Sequence, residues 1–245
     1  METNYKYYDY EKSITRIDDI LNKQDSSFEE LKTFPSTDKL TFKNGFYVNA
    51  TALFVDIRDS SNLTDKHRRP ALAKIYRSFI SEVIAILNGN SNCKYINVDG
   101  DCVSGVYETP NKSDIDSVFK DAYTISSMVD ILNCKLKKKN ITEIEIGIGL
   151  DYGRLLLIKA GFAGSGLNEV AWMGDALNTA SKLCSKANKD TSYEILVSYD
   201  VYQNLNEHNQ ELLNHISYNY SLSIDYYGRN VIRIDMNEWY KENCL

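Results

Sequence analysis

The order in which two hydrophobic periods alternate along the chain constrains its fold more than any single residue. Residues 46–57, FYVNATALFVDI, are β-branched, aromatic and almost continuously apolar, as a strand buried on both faces must be. Helical spacing follows from about Arg68 to Leu87 (Leu72, Ile75, Phe79, Val83, Ile86) and closes at Asn88-Gly89-Asn90. The stretch CKYINVDGDCVSGVY then gives two short strands around Asp99-Gly100, a strong hairpin signal. A second helix spans Ser113 to about Lys138, and Ile144, Ile146, Ile148 and Leu150 alternate as a strand. Strand, helix, hairpin, helix, strand is the β-α-β-β-α-β ferredoxin-like order of an α+β domain.

On either side of that core the patterns continue. From Gly147 to Ala187 the sequence suggests a strand, a Tyr152-Gly153 turn, a second strand, a glycine-rich loop and a helix beginning near Gly174-Asp175. YEILVSYDVYQNL adds a strand and a short helix, and the tyrosine-rich tail suggests a hairpin as extra C-terminal strands. Residues 1–44 form an N-terminal helical arm with apolar positions Ile14, Ile17, Ile20 and Leu21, leaving 45–245 as the main domain. Ser26 and Ser27 before FEEL resemble a helix N-cap followed by an acidic first turn.

Charge and composition exclude some partners. With 245 residues, a net charge of −6 and a pI near 5.2, an extended nucleic-acid footprint is not expected. The run Lys135 to Lys139 suits the solvated C-terminal end of a helix. No apolar segment approaches the ~18 residues of a membrane span. The start METNYKYYDY does not resemble a signal peptide, so a cytoplasmic protein without membrane association is expected. Cys93, Cys102, Cys134, Cys184 and Cys244 are odd in number and scattered, which suggests reduced thiols and neither a disulfide frame nor a zinc site.

Four residues carry chemistry. Asp56 ends the first strand and reads either as a helix N-cap, given Asp59, Ser60, Ser61 and Thr64 beyond it, or as a ligand. Asp101 favours the ligand: a second carboxylate at the hairpin tip has no role in the turn, and two close carboxylates repel unless a cation lies between them. Oxygen donors alone point to Mg²⁺ or Mn²⁺. On the later helix Asn178 and Lys182 stand one turn apart, an amide and an ammonium that suit a ribose and a phosphate.

In family order and spacing, FVDIRDSSNLT and NVDGD resemble the two metal motifs of class III nucleotidyl cyclases, and MGDALNTASKL resembles their substrate helix, over roughly residues 46–235. The resemblance implies a ferredoxin-like core of the class III type. It also implies Asp56 and Asp101 as metal carboxylates with the Ile57 carbonyl beside them, and two ions per active site. Asn178 would orient the ribose, and Lys182 stands where the family has a transition-state arginine. The loop Ile57 to Ser61 would cradle phosphates, with Arg229 replacing a family lysine. Asn97 and Ala171 occupy the positions that read a purine base, and neither matches the adenylate or guanylate pattern.

PSTDKLTFKNGFYVNATALFVDIRDSS further resembles the start of stand-alone bacterial pyrimidine cyclases of Pycsar anti-phage systems. That implies UTP or CTP as substrate, Mn²⁺ dependence, and cyclic UMP or cyclic CMP read by a separate effector. Uracil is preferred to cytosine. Tyr47 would narrow the base site, or else packs at the sheet edge. One domain carrying both half-sites implies a homodimer with shared active sites. The competing reading is a catalytically weak nucleotide-binding and dimerisation module of the same fold.

Overall fold

The computed structural model describes residues 3, 5–24, 27–66, 69–166, 168–219 and 224–245. Two compact units emerge: Ala50–Gly153 with Ala176–Leu245, and Met1–Asn49 with Arg154–Asp175.

The larger unit is built on a sheet. Its strands are β2 (Gly45–Ile57), β3 (Cys93–Asp99), β4 (Cys102–Glu108), β5 (Ile146–Gly161), β7 (Ile195–Ser198), β8 (Asn214–Asn219) and β9 (Ile224–Arg229). Their spatial order is β3-β4-β2-β5-β7-β9-β8. β2 pairs antiparallel with β4 from Ala50 opposite Glu108 to Val55 opposite Val103, and β5 pairs parallel with β7. Helices α3 (Arg69–Asn88) and α4 (Lys112–Lys137) supply Ile75, Phe79, Val83, Val118, Phe119 and Ile125 to one core with Leu53, Val55, Ile146, Ile148 and Val197. This is the expected strand, helix, hairpin, helix, strand order.

Strand alternation places the next helix on the opposite face. In β5 the isoleucines enter the α3/α4 core, so Gly147 and Gly149 face the other way. Helix α5 (Asp175–Lys186) lies directly on those glycines: a Cβ at Gly149 would sit 2.1 Å from the Ala180 carbonyl oxygen and 2.2 Å from the Cys184 nitrogen. Leu183 and Ala187 then join Leu196 and Tyr226 in a separate small core. Short helices α2 (Ser60–Lys66), α6 (Tyr199–Tyr202) and α7 (Glu207–Glu211) and the terminal helix α8 (Ile234–Cys244) complete this unit. No helix among the described residues is long and apolar enough to cross a membrane.

In the smaller unit, α1 (Tyr10–Leu21) is capped by Asp9, which accepts from the Glu11 and Lys12 amides. β1 (Phe28–Glu30) pairs parallel with the start of β2, and β6 (Asn168–Met173) pairs antiparallel with the end of β5. Leu40, Phe46 and Leu157 form its core, with Leu31, Val170 and Trp172 against them.

Three expectations are corrected. β5 runs unbroken through Tyr152-Gly153, because its far end finds a partner in β6 and the backbone need not turn. FEEL starts no helix: Phe28–Glu30 is a strand held by its ladder to β2, and Ser26 lies outside the described residues. The tyrosine-rich hairpin forms as expected from β8 and β9, and α8 follows it. Finally, Cys134 and Cys244 form a disulfide with Cα atoms 5.8 Å apart, because α8 returns to α4 from 110 residues away. Cys93, Cys102 and Cys184 are free, as expected of all five.

Candidate active site

The exit of β2 carries the chemistry. Val55 opposite Val103 sets Asp56 at the level of the β3–β4 hairpin tip, where Asp101 sits. The N-cap alternative for Asp56 does not hold, since α2 begins only at Ser60 and the Asp56 carboxylate takes the neighbouring Ile57 amide instead. Burial raises the Asp56 pKa, and the charge of Asp101 raises it further, against opposing contributions from Arg58 and the Ile57 amide. One carboxylate oxygen of Asp101, Oδ2, is buried and has no hydrogen-bond partner. The free thiol of Cys102 is pushed up to about 12, chiefly by burial and then by the charges of Asp56, Asp101 and Asp99.

An orphaned carboxylate oxygen beside a second, strained carboxylate fits a hard divalent cation. Among the described residues no group of three or more His, Cys, Asp or Glu could hold a metal. Asp56 and Asp101, whose charges interact, are the carboxylates that meet at this strand exit.

A cavity of about 490 Å³ opens here, lined by the loop from Asp56 to Ser61, by Glu145, and by Asn188 and Lys189 after α5. Asp59 and Asn188 hold left-handed backbone with φ of 50° each, which these two residue types tolerate better than most. Asn188 donates its amide to the Tyr193 carbonyl at 2.7 Å, fixing the turn that carries Lys189. Lys189 escaped the sequence reading because its position follows from how α5 packs and ends, which no local motif encodes.

The other candidates fall elsewhere. Asn178 and Lys182 are both exposed on α5, whose opposite face buries Ala176, Ala180, Leu183 and Cys184. Neither lines the cavity of its own chain. Asn97 is exposed on β3, the edge strand of the sheet. Arg229 is exposed at the end of β9, paired opposite Ile195 at the Asp56 end of the sheet but outside the cavity lining. In the smaller unit Tyr47 lies beneath the Arg154 guanidinium, 4.0 Å from the ring centre, with Arg154 also paired to Glu30. Ala171 is half-buried on β6 opposite Ile158.

Both the fold and the carboxylate pair at the strand exit define a class. Residues 43–229 match the adenylate and guanylate cyclase catalytic domain family, and the chain belongs to it. Within that family it is 39% identical to a uridylate cyclase of Gulbenkiania mobilis, over 99% of this chain and 100% of that protein. It is likewise 39% identical to a uridylate cyclase of Treponema porcinum, over 97% of this chain and 82% of that one. Among solved structures, the adenylyl cyclase CyaB from P. aeruginosa has the same fold, with a TM-score of 0.65 at 20% identity over 78% of this chain and 98% of that one.

Proposed function

We propose that this chain is a uridylate cyclase, converting UTP to 3′,5′-cyclic UMP and pyrophosphate. The carrying observation is the Asp56–Asp101 pair: Asp56 lines a polar cavity and its pKa is raised by burial and by Asp101, whose Oδ2 is buried without a hydrogen-bond partner. In the reaction the ribose 3′-oxygen bonds to the α-phosphorus, the bond from that phosphorus to the pyrophosphate oxygen breaks, and the hydroxyl proton leaves to solvent. Asp56, Asp101 and the Ile57 carbonyl would hold divalent cations, Mn²⁺ by preference, which would supply acidification of the hydroxyl and charge neutralisation of the leaving group.

The chain's own residues do the positioning. Asn178 orients the ribose, and Lys182 meets the charge that develops on the α-phosphate, as a point charge without the bidentate fork of arginine. Lys189, in the cavity with the Asp56 to Ser61 loop, takes the triphosphate. Arg229, outside that lining, remains a second candidate for the phosphates. The two uridylate cyclases to which the chain is similar over almost its whole length support uracil. The loss of purine-reading side chains at Asn97 and Ala171 supports a pyrimidine base, uracil or cytosine alike. Since Asn178 and Lys182 do not line their own chain's cavity, two copies share each site, arranged head to tail. Cyclic UMP would then serve anti-phage defence as a message read by a separate effector.

The test is incubation of the purified chain with each of the four ribonucleoside triphosphates and Mn²⁺, with products resolved by mass. Cyclic UMP should dominate, and Lys189→Ala should raise KM for UTP about tenfold with a smaller change in kcat. No cyclic product from any nucleotide overturns the enzyme, while cyclic AMP alone overturns the pyrimidine assignment.

A further inference from the structure

We propose that Arg58 is a positioning residue that braces the metal-carboxylate strand against the substrate helix of the same subunit, so that each subunit links two active sites. The inference rests on the shared-site reading above, in which Asp56 of a chain serves one site and Asn178 of that chain serves the other.

The geometry is specific. Arg58 follows Asp56 by two residues, and its amide donates to the Glu145 carbonyl at 2.7 Å, fixing the strand exit against the start of β5. Its guanidinium crosses to the end of α5, where Nη2 donates to the Cys184 carbonyl at 2.7 Å and Nη1 to the Ser185 carbonyl at 3.4 Å. Helix ends leave carbonyls without internal partners and carry partial negative charge, so a forked cation there satisfies both needs. Lysine, a single point charge, cannot bridge two carbonyls in the same way.

The sequence leaves a space for this contact. A Cβ at Gly147 would lie 2.2 Å from Arg58 Nη2 and 2.7 Å from the Ala187 carbonyl oxygen, so any larger residue evicts the guanidinium or lifts the helix. Cys184 closes the arrangement by donating its thiol to the Gly147 carbonyl at 3.2 Å. Arg58 Nε is buried and unpartnered, so the side chain is held by the fit of its tip to the helix end and not by satisfaction of all its donors. From Cys184 the helix runs back to Asn178 over roughly 9 Å at 1.5 Å per residue, and a packed helix of that length moves as one body. Displacement of the Asp56 strand exit therefore shifts the Asn178 and Lys182 face, which belongs to the other site.

Mixed dimers separate this from an effect within one site. Differently tagged Asp56→Ala and Asn178→Ala chains are co-expressed and the mixed species purified; it holds one live site, with Asp56 from one chain and Asn178 from the other. Arg58→Met is then placed in the Asp56→Ala chain only. There Arg58 stands beside the dead carboxylate site and reaches the live one only through its helix. The expected result is a fall in kcat of about tenfold with KM within about twofold. Arg58→Lys should give an intermediate kcat, and Gly147→Ala in that chain should reproduce the loss. Should Arg58→Met fail to dimerise by mass, Arg58→Gln is measured in its place, with the same fall expected. An unchanged kcat in the live site overturns the brace. A parent mixed dimer with no activity at all overturns the shared site itself and the brace with it, so the two failures are told apart.

Discussion

Asp151, 6% exposed on β5, is buried beneath the substrate helix with Thr179 of that helix as one neighbour. It accepts from the Ser198 hydroxyl and from the Tyr152 amide at 2.8 Å. These donors favour the charged carboxylate, but burial outweighs them and Asp200 adds repulsion, so the pKa rises from 3.8 to about 7. In the unfolded chain the group ionises near its ordinary value. Between the two pKa values the folded state holds a proton that the unfolded state has lost, so stability falls as pH rises through that window. Below about pH 4 the contribution is complete, and above about pH 8 it is gone, a span on the order of 3–4 kcal/mol. Asp151→Asn keeps an acceptor and removes the charge. It should match the wild type in urea melts near pH 4.5 and exceed it by about 2 kcal/mol or more near pH 8.5. Equal stability at both pH values would remove the burial argument. Asp56 and Asp101 were legible in the sequence because each ends a recognisable strand or hairpin. Asp151 was not, because only the packing of α5 over β5 buries it.

At the scale of elements, a nearly continuous apolar run revealed β2 because burial on two faces demands it, and period-two alternation in β5 sets isoleucines against α4 and glycines against α5. The misread segments share a cause. FEEL is acidic and follows serines, yet a three-residue ladder to Gly45, Phe46 and Tyr47 overrides its local helix signal. The Cys134–Cys244 bridge joins helices 110 residues apart, a separation that no local cysteine spacing records. The contact between α5 and β5 yields a direct prediction. Gly149→Ala puts a methyl carbon 2.1 Å from backbone oxygen and 2.2 Å from backbone nitrogen, neither of which can rotate aside. The helix must lift from the sheet, at a cost of about 3 kcal/mol. Thermal unfolding should show the midpoint fall. Because Asn178 rides on the displaced helix, kcat should fall with it in the surviving folded fraction, and an unchanged midpoint would contradict the close packing described.

For the whole molecule, the shared-site proposal reads one chain as two incomplete halves: a carboxylate cavity at the end of β2, and an exposed Asn178 and Lys182 face that does not line that cavity. A folded monomer would display both and complete neither. The proposed head-to-tail pair would repeat one contact twice and close, so that two equivalent sites would arise from a single interface. Turnover must then depend on association. When the chain is diluted well below its dimer dissociation constant, the dimer fraction falls in proportion to concentration and the total rate falls with its square. Specific activity should therefore drop about tenfold for each tenfold dilution in that regime, while mass measurement at the same concentrations follows the loss of dimer. Excess Asp56→Ala chain added to dilute wild type should restore part of the lost rate, because each inactive chain still offers an intact Asn178 and Lys182 face to a wild-type cavity. Excess chain carrying both Asp56→Ala and Asn178→Ala offers neither half and should suppress turnover by occupying wild-type partners. Constant specific activity down to concentrations where only monomer is detected would mean that one chain completes its own site, and the helix bearing Asn178 would have to move onto its own carboxylates to do so.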